Sequence, residues 1–250
     1  MNKYDIPELL ATVDAKFADA IARGKTFTKL SVTRDKIIEM RGWEQATKLI
    51  EKNFDRVLTD LKITYVPRQI APGPMVIFPI RDVDGEYKYA QTKPLEGSEF
   101  YSEAKKYYYV GTEPIGPRWL GNDPATIRLI LKLKAVAVVE GPYDFLACRL
   151  VAPDSPVLCP LSKTLGPKHI AYLRLLGVRS LTFMFDNEGS GKGQTAMFHQ
   201  SRQVQQLPKI KTRMILVGQG IGGGDPSKCL TTQEGAVQLK KQLESCFLVR

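Results

Sequence analysis

Acidic residues fall in this chain where apolar runs stop. Ala135-Val136-Ala137-Val138-Val139 ends on Glu140, with Gly141-Pro142-Tyr143-Asp144 behind it. Ser180 to Phe185 closes on Asp186-Asn187-Glu188, and Arg213 to Val217 leads through a glycine-rich stretch to Asp225. Gathered carboxylates repel one another, which costs stability unless a cation or raised pKa values relieve it. In a basic protein Mg²⁺ meets that need, because it is hard, oxygen-liganded and content with carboxylates plus substrate phosphates; Mn²⁺ is a substitute. Two such ions about 4 Å apart stabilise both the attacking and the leaving oxygen of a phosphoryl transfer. Asp186, Glu188 and Asp225 are therefore assigned as metal ligands. Taken singly, each acid reads as a solvated strand end; the recurrence at three strand ends is what points to chemistry.

The elements that must position these acids follow from the pattern around them. Five small or β-branched apolar residues in a row at 135–139 predict a strand buried on both faces, as in a parallel sheet. Gly141-Pro142 then forces a turn into a helical run from Phe145 to Leu150. Val157-Leu158-Cys159-Pro160 predicts a short strand, Lys168 to Leu176 a helix stopped by Gly177, and Val178 to Phe185 the next strand. Residues 135–250 thus read β-α-β-α-β-α, which implies a mostly parallel sheet. In such sheets ligands gather at the carboxyl ends of the strands, where Glu140 stands. Gly189-Ser190-Gly191-Lys192-Gly193 imitates a phosphate-binding P-loop but lacks its hydroxyl residue after the lysine and its glycine five before. Lys192 can still meet a phosphate at the start of the following helix, whose amides favour anions.

The motifs resemble a known family. Glu140-Gly141-Pro142-Tyr143-Asp144 is similar to the E-G-x-x-D motif of the Toprim domain shared by bacterial-type primases and topoisomerases. Asp186-Asn187-Glu188 resembles the D-x-D motif in its primase form, with Glu188 keeping the charge one methylene further out. Asp225-Pro226-Ser227-Lys228 resembles the primase D-P-D. Upstream, Phe78-Pro79-Ile80-Arg81-Asp82 is similar to the F-P-I-R-D strand of the primase core, and Pro117-Arg118-Trp119-Leu120-Gly121 to its P-K-Y-L-N segment, with Arg118 and Gly121 in the lysine and asparagine places. Leu161-Ser162-Lys163-Thr164-Leu165-Gly166 resembles the S-L-G-T region. The resemblance, to the DnaG-like primase catalytic core in a compact phage or mobile-element form, spans about residues 68–230. It implies an α/β fold: an α+β N-terminal part followed by a Toprim α/β domain. It also implies that Glu140 is either a further metal ligand or the group that handles the 3′-hydroxyl proton, with Asp144 in an orienting role, from behind the ligands or as a helix cap. Arg81 and Arg118 become a basic ridge that tracks template or triphosphate, Trp119 and Tyr107-Tyr108-Tyr109 stacking faces, and Lys163 and Lys192 phosphate contacts.

Composition sets the outer bounds. Over 250 residues, 43% are hydrophobic and 25% charged, as in ordinary globular proteins. Thirty-six Lys and Arg against 26 Asp and Glu give a net charge of +10, which favours a polyanionic partner. No apolar run approaches a membrane span and the N-terminus Met1-Asn2-Lys3-Tyr4-Asp5 does not read as a signal peptide, so a cytoplasmic protein without a membrane partner is expected. Cys148, Cys159, Cys229 and Cys246 form no C-x-x-C pair, and with only His169 and His199 they cannot build a zinc ribbon in one segment. No zinc is expected, whereas cellular bacterial-type primases carry a zinc-binding module.

Three regions are expected. Residues 1–62 are helical, with Leu9, Leu10, Val13, Phe17 and Ile21 on one helix; a second, capped at Thr33-Arg34-Asp35, carries Ile37 through Trp43 to Ile50. No chemistry is visible there. Residues 63–134 hold a β-hairpin, Met75–Asp82 and Tyr87–Thr92, turned by Asp84-Gly85, together with the basic ridge. Residues 135–250 form the catalytic domain. The expected activity is synthesis of short RNA primers from NTPs on a single-stranded DNA template, with a replicative helicase as an implied partner. The alternatives are a Toprim metal-dependent nuclease and a non-catalytic Toprim module that only holds DNA.

Overall fold

The computed structural model describes residues 26–67, 74–81, 87–94, 108–111, 116–162, 164–185, 192–205, 210–217 and 224–247. The helix expected around Leu9–Ile21 and the Asp84-Gly85 turn lie outside them. Helix α1 (Leu30–Arg41) and helix α2 (Thr47–Leu61) replace the single helix expected through Ile50. The break is at Gly42, whose φ of 65° ends α1 in the left-handed conformation that glycine adopts without steric cost. Trp43 and a 3₁₀ turn, Glu44–Ala46, then redirect the chain. Thr33 is no cap: it lies within α1, buried, and its Oγ1 accepts the Tyr65 N–H at 3.1 Å. Helix α2 buries Ile50, Phe54, Val57, Leu58 and Leu61, a helical stripe that sets it against the core.

An antiparallel sheet follows, built from β1 (Thr64–Val66), β2 (Met75–Arg81), β3 (Tyr87–Pro94) and β4 (Tyr108–Gly111) in that order. The expected hairpin is its centre, with Phe78 opposite Gln91 and Ile80 opposite Tyr89. After α3 (Pro124–Leu133) comes the parallel sheet. Its elements are β5 (Ala135–Val139), α4 (Pro142–Val151), β6 (Val157–Leu158), α5 (Pro167–Leu175), β7 (Ser180–Met184), α6 (Lys192–Gln205) and β8 (Lys211–Met214). Two helices, α7 (Pro226–Cys229) and α8 (Gln233–Phe247), are the last described elements.

The four strands run parallel in the order β6-β5-β7-β8. Every residue of β5 is buried, and its side chains divide with period two. Ala137 and Val139 join α2, α4, α8 and the antiparallel sheet in one core, while Val136 and Val138 join α3, α5 and α6 in another. The last strand begins two residues earlier than Arg213, because β8 is an exposed sheet edge whose Lys211-Thr212-Arg213-Met214 needs no apolar run. No helix among the described residues is long and apolar enough to cross a membrane.

Candidate active site

The connection after β5 enters α4 on one face of the sheet, and the connection after β7 leads to α6 on the other. The chain therefore parts between the carboxyl ends of two neighbouring strands, the crevice where parallel sheets bind ligands. Glu140, half-buried, follows β5 directly at this edge. Its neighbour in the sheet, β7, ends at Met184, paired with Val139, two residues before Asp186 in sequence. Asp186, Glu188 and Lys163 lie outside the described residues, as does the side chain of Lys192 at the start of α6.

Asp144 has a structural assignment. It is the third residue of α4, buried, and its Oδ2 accepts the Gly141 N–H at 3.0 Å while Oδ1 accepts the Ser227 N–H at 3.2 Å. Two charge-assisted backbone bonds hold this carboxylate between the turn after Glu140 and the segment of Asp225. These bonds tie the backbone of the Glu140 turn to that of the Asp225 turn. Asp225 is also buried and caps α7: Oδ1 accepts the Lys228 N–H at 2.6 Å, and Oδ2 lies 3.3 Å from Lys228 Nζ. Pro226 at the first helical position needs no partner for its nitrogen, so Asp-Pro is a ready helix start.

Three backbone contacts fix the surroundings of Glu140. The Cys159 thiol donates to the Glu140 carbonyl at 3.3 Å and accepts from the Leu161 N–H at 3.4 Å. Leu161 sits at φ 59°, a left-handed strain for a branched residue at the mouth of the Ser162–Gly166 loop. Leu120 bridges Cys159 antiparallel, extending the sheet past β6. Gly121 is required at that crossing, since at φ 85° a Cβ would stand 2.5 Å from the Val157 carbonyl and 2.7 Å from the Phe145 ring.

This crossing carries Arg118 to the site's flank, where its carbonyl meets His169 Nε2 at 3.1 Å. Trp119, in contrast, is fully buried, edge-on to the His169 ring at 4.7 Å. It is a core residue, and the expected stacking face is corrected on that ground: an indole without exposed area cannot receive a base. Arg81 ends β2 with its guanidinium 4.2 Å over the Tyr87 ring, three residues from Phe78, which packs edge-on to Tyr143 of α4 at 5.1 Å. Tyr107 lies outside the described residues.

Arg41, Trp43 and Ser227 belong to this constellation and carry no motif that marks them in the sequence. Arg41 donates through Nε to Ser227 Oγ at 3.1 Å, donates again through Nη2, and lies 4.8 Å over the Tyr143 ring. Trp43 Nε1 donates to the Ser227 carbonyl at 2.9 Å. These contacts span more than 180 residues, so no local spacing could betray them.

The acidic side chains Glu140 and Asp225 offer oxygen donors, which fit a hard divalent cation. Among the described residues no three acidic, histidine or cysteine groups converge as a metal site, and Asp186 and Glu188 are the acids the sequence adds. The four cysteines are buried, and burial pushes their thiols up, Cys229 to about 12 and Cys246 to about 11.

Solved structures share this architecture. The RNA polymerase domain of Mycobacterium tuberculosis primase DnaG superposes with a TM-score of 0.58 at 19% identity, over 95% of this chain and 83% of that one. A DnaG primase catalytic domain bound to single-stranded DNA gives 0.60 at 15% identity, over 96% and 80%. The primase fragment of the bacteriophage T7 primase-helicase protein gives 0.54 at 15% identity, over 76% and 70%. No family model and no curated protein matches the chain by sequence. The chain has the fold of DnaG-type primase catalytic domains.

Proposed function

We propose that this chain is a primase catalytic core that makes short RNA primers on single-stranded DNA by Mg²⁺-dependent nucleotidyl transfer. One observation carries the reading: the Glu140 turn and the Asp225 helix cap are bound to each other through Asp144, at the carboxyl ends of a parallel sheet. The fold supports it, as do the Toprim-like order of the acids in sequence and the single-stranded DNA bound to one protein of this fold.

Asp186, Glu188 and Asp225 would hold Mg²⁺ or Mn²⁺, with Glu140 as a further ligand or as acceptor of the 3′-hydroxyl proton. The metal would supply charge neutralisation at the transferring phosphate and acidify the attacking hydroxyl. Asp144 keeps two of these acids in register through backbone amides. Arg118 and Arg81, with Lys163 and Lys192, are the cations assigned to template and triphosphate oxygens. A replicative helicase is the protein partner of this reading, by analogy with the T7 primase-helicase protein.

The test is synthesis by the purified full chain from labelled NTPs on single-stranded DNA with Mg²⁺. Template-dependent short RNA is expected, and Glu140→Gln should reduce it at least about 10²-fold, as for loss of an acid–base group or metal ligand at a reacting centre. Wild-type rates in that variant would remove the assignment, and cleavage of the template in place of synthesis would make the chain a nuclease.

A further inference from the structure

We infer that the helical segment Leu30–Leu61 is a working part of the acidic site, with Arg41 as the positioning residue that sets Asp225 through Ser227. The inference rests on the primase reading above, in which Asp225 is a metal ligand.

Ser227 is buried, 1% exposed, and lies two residues after Asp225 in the same helical turn. Each of its polar groups is bound by a different residue from elsewhere. Its N–H goes to Asp144 Oδ1, its carbonyl takes Trp43 Nε1, and its hydroxyl takes Arg41 Nε and Nη2. The turn itself, Pro226–Cys229, is four residues long, too short to hold its place by its own hydrogen bonds. The Asp225 carboxylate is held within the turn by Lys228, and the place of the turn itself is set from outside, by α4 through Asp144 and by the end of α1 through Arg41 and Trp43.

Arg41 is suited to this by shape. Its planar fork delivers two donors to one hydroxyl while its face rests on Tyr143, which also packs against Phe78 of the antiparallel sheet. It makes no ion pair with a carboxylate among the described residues, so its hydrogen bonds are directed at Ser227 alone. The left-handed turn at Gly42 immediately after it brings Trp43 onto the same serine. A shift of α1 is thus transmitted to Asp225 without passing through solvent. Loss of groups that orient a metal ligand from behind typically weakens metal affinity or activity about 10–100-fold.

The experiment measures Mn²⁺ binding to the full chain by electron paramagnetic resonance, beside the Mg²⁺ concentration that half-saturates primer synthesis. Wild type is compared with Arg41→Ala, Arg41→Lys, Ser227→Ala, the Arg41→Ala/Ser227→Ala double variant and Asp225→Asn, each checked by thermal melting. Arg41→Ala and Ser227→Ala are expected to weaken Mn²⁺ binding and raise the Mg²⁺ midpoint about 10–100-fold. The double variant should be no worse than the weaker single one, since both act along one path. Lysine at position 41 should restore part of the loss. Unchanged Mn²⁺ binding in Arg41→Ala overturns the inference. So does a loss in Arg41→Ala that Ser227→Ala lacks, or losses that multiply in the double variant. If Asp225→Asn binds Mn²⁺ as wild type does, Asp225 is no ligand and the inference falls with it. Expected metal shifts in a protein that makes no primer would leave the positioning role standing and remove the primase reading.

Discussion

His169 shows one side chain joining two stretches that the sequence marks separately. Its Nδ1 accepts the Gly166 N–H at 3.2 Å, so the proton resides on Nε2, which donates to the Arg118 carbonyl. A second proton on Nδ1 would break the bond to Gly166 and loosen the Ser162–Gly166 loop from the Arg118 segment. Burial is the main cause holding the imidazole below its ordinary value of 6.5; the Arg118 carbonyl opposes this and the Arg118 charge adds to it. The unfolded chain therefore binds more protons than the folded one just below pH 6.5. The stability gained from the depressed value is fully present above 6.5 and is lost as pH falls through the folded value. The melting temperature of the wild type should fall between pH 7.5 and about 5, and His169→Gln, which keeps a donor for Arg118, should show a flatter profile over that range. Since His199 is the sole other histidine, a profile in His169→Gln as steep as that of wild type would exclude this coupling.

At the scale of elements, the sequence is legible wherever one residue pattern answers to one environment. The run 135–139 announces a doubly buried strand because both faces of β5 meet cores, and the hairpin 75–81/87–94 announces itself by alternation and its Asp-Gly pair. Residues 33–50 read as one helix because apolar spacing continues across Gly42, and only the left-handed turn reveals the division. Trp119 reads as an aromatic near cations, while the structure buries it beside His169. The Arg41–Ser227 contact is invisible to any local pattern. Between α3 and α4 lies another such long-range link. Asp123 caps α3 by accepting the Ala125 and Thr126 N–H groups at 3.1 and 3.0 Å, and takes the Thr126 hydroxyl at 2.6 Å. Arg149 of α4 donates to the same hydroxyl at 2.5 Å and lies 3.9 Å from the carboxylate, with both side chains under a tenth exposed. Asp123→Ala removes the cap and leaves a buried guanidinium uncompensated, which should cost about 3–5 kcal/mol in urea unfolding. Adding Arg149→Met should recover most of that loss, because the stranded charge goes with it. Equal or additive losses in the double variant would mean the pair is not coupled.

Over the whole molecule, two sheets and the described N-terminal helices share one apolar core, so the parallel sheet that ends at Glu140 and the helix that ends at Arg41 are packed on common ground. The chain as a whole carries a surplus of positive charge, +10 in total. A chain that grips nucleic acid through phosphates displaces the counterions condensed on them, and its affinity falls with salt whatever the base sequence. On single strands the slope of log affinity against log salt is about −0.7 for each phosphate neutralised. If Arg81, Arg118, Lys163 and Lys192 each meet one phosphate, the slope for a short oligonucleotide should be about −3. Fluorescence anisotropy from 50 to about 300 mM salt measures it, a roughly sixfold range over which a slope of about −3 lowers the affinity about 200-fold. Arg118→Ala should weaken binding equally for unrelated sequences and flatten the slope by about 0.7, because the contact is to backbone and not to bases. A slope unchanged in that variant would place Arg118 off the nucleic-acid path. Loss confined to one oligonucleotide sequence would make it a reader of bases, a role that charge alone does not supply.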